Sequence, residues 1–402
     1  MSLLGMIAIL AVAVLLSSNR KAIKLRTVGF AFALQAAFAA LVLYIPAGQS
    51  ALDSISGGVQ SIISYANYGI EFLFGNLGRQ ELGFIFAFNV LPVIVFFSAL
   101  MSVLYYLGIM QVIIRVIGGG LKRIMLTGHA ESLSATANIF VSQTEAPLVI
   151  KPYIRGLTKS ELFAVMVGGM ASIAGSLLVG YANMGVELKY LIASSFMAAP
   201  GGLLMAKLMM PETETPKLDT EHEDLAEDEG YANVIDAAAA GAVSGMRLAV
   251  NIGAMLIAFI ALIALLNGTL GGLGSIFGLP DITLQQILGY IFAPVAYLLG
   301  IPWSETSTVG GLIGQKLILN EFVAYADFVT IKETLQPHTQ AVVTFALCGF
   351  ANLSSIAILL GGLGSLVPSR RAEIASLGIK AVTAATLANL MSAALASFFI
   401  VA

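Results

Sequence analysis

Long stretches without charged residues alternate along this chain with short clusters of charge. A helix needs about 20 apolar residues to cross about 30 Å of hydrocarbon, so each long stretch is predicted to span a membrane. The predicted spans are residues 3–16, 27–52, 82–114, 162–186, 190–206, 248–280, 334–369 and 381–402. The pattern therefore predicts an all-α integral membrane protein with eight transmembrane helices.

Basic residues follow the first span, at Arg20, Lys21, Lys24 and Arg26. A cleaved signal peptide carries its basic residues before the apolar stretch, so the first span is predicted to be a retained helix. The positive-inside rule places this basic cluster in the cytoplasm. Because the number of predicted spans is even, both termini are predicted to be extracytoplasmic.

Two further apolar segments are interrupted in the middle by polar residues. Residues 132–150 contain the run from Ser142 to Glu145, and residues 282–314 contain Pro302 and then Glu305. A carboxylate at bilayer depth is costly and is usually found in a protein-lined cavity, where non-helical backbone is also tolerated. Both segments are therefore predicted to be re-entrant helical hairpins of opposite orientation whose tips meet near the membrane midplane.

Paired interrupted segments are typical of transporters built from inverted repeats, with the binding site between the repeats. They predict a transport domain and a scaffold domain. The predicted divisions are scaffold helices in 1–125, a first transport repeat in 126–210, an acidic cytoplasmic loop in 211–236, a long scaffold helix in 237–280 and a second transport repeat in 281–402. Residues 46–80 are predicted to form an extracytoplasmic amphipathic helix at the membrane interface.

The composition agrees with a lipid environment and narrows the function. Of the 402 residues, 58% are hydrophobic and only 11% are charged, against about 25% charged residues in soluble domains. The 20 basic and 23 acidic residues leave no basic excess, so nucleic acid is not an expected partner. The sequence lacks a Walker A pattern, which makes an ion gradient the natural energy source. The polar residues within the apolar segments suit a neutral, hydroxyl-rich solute.

Three stretches resemble one known family. They are 138–148, which contains Ser-Gln-Thr-Glu-Ala-Pro, 314–325, which contains Gly-Gln-Lys-Leu-Ile-Leu-Asn-Glu-Phe-Val-Ala, and 348–355. They are similar to the concentrative nucleoside transporters. The resemblance implies a homotrimer in a bacterial inner membrane that imports nucleosides by sodium symport. It also implies that the transport domain moves against the scaffold to give alternating access.

The resemblance also implies which residues bind the nucleoside. The nucleobase would face the first hairpin, and the ribose would face the second hairpin and the broken helix that follows it. The implied contacts are Gln143, Thr144, Glu145, Leu177, Glu305, Phe350, Asn352 and Ser355. Ser142 and Ser176 are expected to narrow the site beside the base, which predicts uridine and cytidine over guanosine and inosine.

The coupling ion is expected between the first hairpin and the following helix. The implied sodium ligands are Asn138, Val141, Ser172 and Ile173, and oxygen-only ligation suits a hard cation. Asn320 and Glu321 are expected to hold the second hairpin together, and Ser354 and Thr306 to have structural roles.

Three alternatives remain open from the sequence. A proton could replace sodium as the coupling ion. An intramembrane enzyme could use Glu145 and Glu305 as an acid and base pair, although no nucleophile with a positioned base is evident. A channel would be expected to carry rings of charged side chains. We therefore expect a transporter and not an enzyme.

Overall fold

A computed structural model describes residues 1–79, 84–214, 230–276, 278 and 282–401, and this part of the chain is helical and contains no β-strand. The helices up to the acidic loop are α1 (Ser2–Leu15), α2 (Leu25–Leu43), α3 (Pro46–Phe74), α4 (Phe86–Asn89), α5 (Leu91–Tyr106), α6 (Ile109–Met125), α7 (His129–Ala137), α8 (Ala146–Val149), α9 (Lys159–Ala171), α10 (Gly175–Asn183) and α11 (Leu188–Met209). The all-α prediction is confirmed.

The second half of the chain repeats a similar order of elements. Its helices are α12 (Val234–Ile276), α13 (Leu284–Leu298), α14 (Thr306–Ile318), α15 (Glu321–Ile331), α16 (Pro337–Leu347), α17 (Ser354–Gly361), α18 (Leu363–Leu366) and α19 (Arg371–Val401). Most of the acidic loop predicted in 211–236 falls in residues 215–229, outside the described residues. Helix α12 begins at Val234, two residues before the predicted end of that loop.

In the part of the chain that the structure describes, six helical segments are long and apolar enough to span a membrane. They are Leu25–Leu43, Phe86–Tyr106, Lys159–Asn183, Leu188–Met209, Val234–Ile276 and Pro368–Ile400. The shorter α1 and the broken pair α16 and α17 correspond to the other two predicted spans. The number of eight spans stays a prediction, because the first of these helices is short and the other is interrupted.

Two predicted spans were too long at their carboxyl ends. The span predicted in 27–52 ends at Leu43, and Pro46 begins α3, because proline at a first helical position starts a helix and cannot continue one. The span predicted in 82–114 ends at Tyr106. Gly108 then turns the chain with a φ of 74°, which glycine adopts readily, and α6 is a separate amphipathic helix.

Two predicted spans were too short at their amino ends. Helix α12 extends back to Val234, and α19 extends back to Arg371. The charges of Arg371, Glu373 and Lys380 excluded the first part of α19 from an apolar stretch, but surface charges do not end a helix. These helices therefore run further than the hydrocarbon alone would require.

The candidate spans fall into two groups by burial. In α2, α4–α5 and α12, between 17% and 28% of the most apolar window is buried in the protein. The corresponding share is 94% in α9–α10, 94% in α11 and 72% in the segment that contains α19. The second group therefore forms the protein interior, and the first group presents apolar side chains outward. The predicted scaffold helices belong to the first group and the predicted transport helices to the second.

Each half contains the same succession of elements. In the first half, α6 leads to the hairpin α7–α8, the broken helix α9–α10 and the long helix α11. In the second half, α13 leads to the hairpin α14–α15, the broken helix α16–α17 and the long helix α19. We refer to α7–α8 with its connecting turn as the first hairpin and to α14–α15 with its connecting turn as the second hairpin.

The two hairpins enter the molecule from opposite ends. At the base of the first hairpin, Glu131 Oε2 lies 2.7 Å from Nζ of Lys207, in the last turn of α11. Just after the second hairpin, Lys332 Nζ donates a 2.9 Å hydrogen bond to the carbonyl of Gly185, just before α11 begins. The two bases therefore lie at opposite ends of α11, which agrees with the predicted opposite orientation.

The second interior hairpin was predicted at the wrong residues. The turn between α13 and α14 carries Trp303, whose exposed fraction is 69%, and Gly300 in this turn packs between Ser2 and Ser397 near the two chain termini. The turn between α14 and α15 is buried instead, with Glu321 only 4% exposed. A proline, a carboxylate and several glycines in 282–314 suggested an interior break, but this turn lies at an end of the molecule.

Candidate functional site

Hydrogen bonds within the turn of the first hairpin hold its carboxylate in place. Helix α7 ends at Ala137, and Pro147 lies in the first turn of α8. Ser142 donates to Glu145 Oε2 from both its backbone N–H and its hydroxyl, each at 3.0 Å. The hydroxyls of Ser142 and Thr144 are 2.9 Å apart. The turn thus holds Glu145 through hydrogen bonds from its own residues.

The tip of the first hairpin packs between the two broken helices. A Cβ atom added to Gly169 of α9 would lie 2.9 Å from Gln143 Cβ, and one added to Gly362 would lie 2.8 Å from Thr144 Cγ2. Gln143 Nε2 also donates a 3.3 Å hydrogen bond to the hydroxyl of Ser355. The absence of side chains at the two glycines therefore allows the tip to approach both helices.

Glu145 lines a cleft of about 190 Å³ between the first hairpin and two outward-facing helices. Val141 and Ser176 line the cleft from the side of the hairpin and α10. Ser98 of α5 and Ser244 of α12 line it from the other side. Leu177 follows Ser176 on α10 and is buried. The structure thus brings a carboxylate and several hydroxyls together in an open cleft.

Glu321 occupies the tip of the second hairpin. Its Oε1 accepts a 3.0 Å hydrogen bond from the Tyr181 hydroxyl, and its Oε2 accepts a 3.0 Å hydrogen bond from Asn352 Nδ2. Asn320 caps α15 through Oδ1, which accepts from the N–H of Val323 at 2.9 Å. Asn320 therefore stabilises the hairpin as expected, whereas Glu321 joins the hairpin to α10 and to the break in the second broken helix.

The predicted residues of the second broken helix lie together at its break. The N–H of Phe350 donates to the carbonyl of Ser172 at 3.1 Å, which connects the breaks of the two broken helices. Asn352 Oδ1 accepts from the Ser355 N–H at 2.9 Å and from the Ser354 hydroxyl at 2.6 Å. A network of hydrogen bonds consequently runs from Gln143 through Ser355 and Asn352 to Glu321.

Glu305 does not belong to this group. Its Oε1 accepts a 3.0 Å hydrogen bond from the backbone N–H of Gln336, at the start of α14. Glu321 follows the end of α14, a 13-residue helix, which spans about 20 Å at 1.5 Å per residue. The structure therefore does not bring Glu305 together with Asn352 and Ser355, and the carboxylate that contacts Asn352 is that of Glu321.

A regular spacing in the sequence identifies the correct carboxylate. Glu145 precedes Ser172, the first residue after α9, by 27 residues, and Glu321 precedes Cys348, the first residue after α16, by the same 27 residues. Glu305 does not share this spacing. Comparison of the two halves at equal offsets from their broken helices would have selected Glu321.

The predicted sodium ligands lie where the first hairpin meets the break in α9–α10. Asn138 Nδ2 donates to the carbonyl of Ser134 at 2.9 Å, while Asn138 Oδ1 is buried and has no hydrogen-bond partner among the described residues. The break follows Ala171, and Ser172 and Ile173 are both buried within it. Val141 is buried as well. A buried amide oxygen without a partner is unusual, and a cation bound beside it would satisfy it.

Other metal chemistry has no counterpart in the described ranges. No group of three or more His, Cys, Asp or Glu side chains that could hold a metal ion occurs among these residues. The Asn138 region offers amide, hydroxyl and carbonyl oxygens, a set that suits a hard monovalent or alkaline-earth cation better than a transition metal.

Two hairpins that meet two broken helices inside an apolar helical protein define a membrane transporter of the inverted-repeat type. Family models for the Na+ dependent nucleoside transporter match this chain at its N-terminus, residues 4–77, and its C-terminus, residues 190–397, and a nucleoside recognition model matches residues 87–187. The chain belongs to the concentrative nucleoside transporter family. It is a transporter and not an enzyme.

Similar proteins extend over nearly the whole chain. An uncharacterized transporter of Haemophilus influenzae is 59% identical over 99% of this chain and 97% of its own length. The nucleoside permease NupC of Helicobacter pylori is 50% identical over 99% of this chain and 97% of its own length.

Solved structures of the protein CNTnw are also similar. The inward-facing substrate-bound state of CNTnw is 56% identical, with a TM-score of 0.96, and the match covers 100% of this chain and 97% of that chain. A variant of CNTnw in an outward-facing state matches with a TM-score of 0.97, 56% identity and coverage of 99% and 98%.

Proposed function

We propose that this chain imports nucleosides by sodium symport, with alternating access produced by movement of the repeat-built part against the outward-facing helices. The observation that carries the proposal is the pair of hydrogen bonds from the hairpin tips to the second broken helix. Gln143 of the first hairpin contacts Ser355, and Glu321 of the second contacts Asn352. A ligand that contacts this network would contact both repeats at once. The inward-facing and outward-facing states of CNTnw support the same cycle.

In this proposal the nucleobase faces the first hairpin. Gln143 and Thr144 offer amide and hydroxyl groups that can pair with the edge of a pyrimidine, and Glu145 adds a strong acceptor. Leu177 and Phe350 supply the apolar and aromatic surface against which a base can pack.

The ribose faces the second hairpin. We propose that Glu321, and not Glu305, contacts the ribose together with Asn352 and Ser355. An ionised carboxylate has about four acceptor sites, so the bonds from Tyr181 and Asn352 leave capacity for ribose hydroxyls. Bonds from hydroxyls to a carboxylate are charge-assisted and short, which favours a sugar over an apolar ligand.

Sodium is proposed to bind beside Asn138, Val141, Ser172 and Ile173. The unpartnered Oδ1 of Asn138 supports this position. The side-chain and carbonyl oxygens offered there do not titrate near neutral pH, so a proton has no group to occupy. The proton-coupled alternative is therefore the less favoured one, and the family description supports sodium.

A preference for uridine and cytidine over guanosine and inosine is proposed to come from Ser142 and Ser176. Ser176 lines the cleft beside Glu145, and Ser142 donates to the Glu145 carboxylate. Side chains at these two positions reduce the width available to a base. A bicyclic purine needs more width than a pyrimidine, which gives the expected order.

The assembly and location are proposed as well. We expect a homotrimer in a bacterial inner membrane, with both termini extracytoplasmic. Large apolar side chains such as Val250, Ile257 and Leu265 are exposed along α12. Such a surface is suited to lipid or to another protomer. Ser2 and Ser397 both approach Gly300, which supports termini on the same face of the membrane.

Uptake of radiolabelled uridine into proteoliposomes tests the function. With an inward sodium gradient, uridine should accumulate above its external concentration. One sodium ion moved through 100 mV contributes about 2.3 kcal/mol, or roughly fifty-fold accumulation. Equal uptake in sodium and choline would refute sodium coupling, and uptake driven by a pH gradient would identify protons. Equilibration without accumulation would indicate a channel.

A further inference from the structure

Lys316 is a buried cation that the proposed transport site does not use. It lies in the last turn of α14, on the first arm of the second hairpin, and its exposed fraction is 3%. Its Nζ donates to the carbonyl of Ala346 at 2.8 Å and to Asn389 Oδ1 at 2.6 Å. A buried ammonium is costly unless it is paired or coordinated, so these oxygens must compensate for lost hydration.

The hydrogen bond from Lys316 satisfies a backbone carbonyl, that of Ala346, at the end of α16 where the helix is broken. In a continuous helix the carbonyl of Ala346 would accept from the N–H of Phe350, four residues later. That N–H instead donates to Ser172 in the first repeat. Lys316 therefore satisfies a carbonyl that the break in α16–α17 has released. The ammonium also lies at the carboxyl ends of two helices, α14 and α16, where the helix dipoles favour positive charge.

Asn389 connects this cation to the other repeat. Its Nδ2 donates to the carbonyl of Ala171 at 2.6 Å and to that of Cys348 at 3.0 Å. Ala171 is the last residue of α9, and its usual helical partner, the N–H of Gly175, donates to Phe140 instead. The side-chain amide of Asn389, on α19, thus donates to a carbonyl at the break of each broken helix and accepts from the Lys316 ammonium.

At the spacing that relates Glu145 to Glu321, Phe140 of the first repeat corresponds to Lys316, and Asn138 corresponds to Gly314, two residues before Lys316. In the first repeat, the end of the first arm of the hairpin supplies Asn138, whose buried Oδ1 has no partner, beside the broken end of α9. The second repeat supplies Lys316 from the end of the first arm of its hairpin, beside the broken end of α16. The first repeat thus offers an unpartnered side-chain oxygen beside its break, and the second repeat offers an ammonium bound by oxygens beside its own.

We propose that the Lys316 ammonium is a tethered cation that takes, in the second repeat, the place a free sodium ion takes in the first. The inference rests on the sodium site proposed for the first repeat. Its consequence is that each protomer couples one mobile ion, although it is built from two similar repeats. Lys316 is then a positioning residue, which holds the break of α16–α17 in the shape that presents Asn352 to the nucleoside.

Chemical rescue of Lys316→Ala tests the proposal. Uridine binding is measured on the purified protein in detergent. There is no transmembrane ion gradient in that preparation, so the added amines cannot dissipate one. Loss of a hydrogen bond donated by a charged group should weaken binding at fixed sodium by at least about tenfold. Methylammonium should restore binding in a saturable manner, whereas methanol and the larger tetramethylammonium should not. In Lys316→Met the side chain fills the space, so methylammonium should have no effect.

Sodium dependence supplies a second readout that a purely structural lysine would not alter. In Lys316→Ala the vacated position can accept a second sodium ion, so the Hill coefficient for sodium should rise from about 1, since that coefficient is bounded by the number of coupled sites. Lys332→Met is the matched control. Lys332 also donates to a backbone carbonyl, that of Gly185, but is partly exposed, and its loss should alter binding by less than about twofold.

Several results would overturn the proposal. If Lys316→Met binds uridine as tightly as the wild type and with the same sodium dependence, no charge is needed at this position. If methanol restores binding to Lys316→Ala as well as methylammonium does, only the volume of the side chain matters. A Lys316→Ala protein that cannot be isolated even with methylammonium present throughout would also count against it. Wild-type protein assayed alongside distinguishes a failure of the Lys316 proposal from a failure of the proposed sodium coupling. If the wild type binds uridine without sodium, the proposed coupling is contradicted, but amine rescue of Lys316→Ala can still be measured.

Discussion

The hydroxyl of Tyr181 donates a 3.0 Å hydrogen bond to Glu321, across 140 residues of sequence. Tyr181 belongs to the first repeat and Glu321 to the tip of the second hairpin. The bond therefore ties the position of the buried carboxylate to the broken helix of the opposite repeat. A ligand that displaces or strengthens this contact acts on both repeats.

Replacing Glu321 by glutamine should reduce nucleoside transport strongly. The amide keeps one acceptor oxygen but loses the charge that strengthens bonds to ribose hydroxyls. We expect a loss of about 2 kcal/mol, or roughly thirtyfold in kcat/KM for uridine uptake. Glu305→Gln is the matched control, since the Glu305 carboxylate accepts from the backbone N–H of Gln336 and an amide oxygen can do the same. Equal losses in the two variants would contradict the assignment of Glu321.

Replacing Asn138 by alanine should raise the sodium concentration needed for half-maximal uptake. The variant removes the buried Oδ1, for which the described part of the chain supplies no hydrogen-bond partner. Loss of one oxygen ligand should cost at least about 1 kcal/mol, or more than fivefold in apparent sodium affinity. Asn267→Ala provides a control, because both polar atoms of that amide are hydrogen-bonded within the protein. The sodium requirement of the control should stay at the wild-type value.

Removing the side chains beside the proposed base should relax selectivity. In the double variant Ser142→Gly with Ser176→Gly, guanosine should compete for labelled uridine uptake more strongly than it does with the wild type. Cytidine competition serves as the internal reference and should change little. Guanosine that already competes as well as cytidine against the wild type would disprove the size argument.

Adding a methyl group at Gly349 should disturb the junction of the broken helices. A Cβ there would lie 2.6 Å from Asn389 Nδ2 and 2.7 Å from the Ala171 carbonyl oxygen. Gly349→Ala should therefore lower the free energy of unfolding by about 1–3 kcal/mol through overpacking and weaken uridine binding. Gly361→Ala, in the same broken helix, meets no atom within 4 Å and should leave both quantities near wild type. Thermal unfolding and binding assays in detergent give the comparison.

The sequence predicts the helical class and many of the helices because apolar runs report directly on contact with hydrocarbon. It predicts helix ends less well. Pro46 lies inside an apolar run that hydropathy treats as continuous, and Arg371 begins a helix that extends beyond the apolar stretch. Hydropathy measures the preference of side chains for lipid, whereas helix ends are set by proline, glycine and capping groups.

The candidate site could be predicted only where its residues are close in sequence. The turn that contains Ser142 and Glu145 forms through contacts three residues apart. Glu321, in contrast, depends on Tyr181 and on Asn352, and Lys316 depends on Asn389, 73 residues away. Glu305 and Glu321 both lie in apolar surroundings, so local composition cannot separate them. Only the equal spacing of the two halves carries that information.

The uneven burial of the spans bears on how the bilayer can influence this protein. Helix α12 has 43 residues, which corresponds to about 65 Å at 1.5 Å per residue, or roughly twice the thickness of the hydrocarbon core. It must tilt or emerge from the membrane, whereas α9–α10 and α11 have almost no surface available to lipid. Hydrophobic mismatch with a thinner or thicker bilayer should therefore act on the tilt of α12, and the helices around the site should be shielded from it.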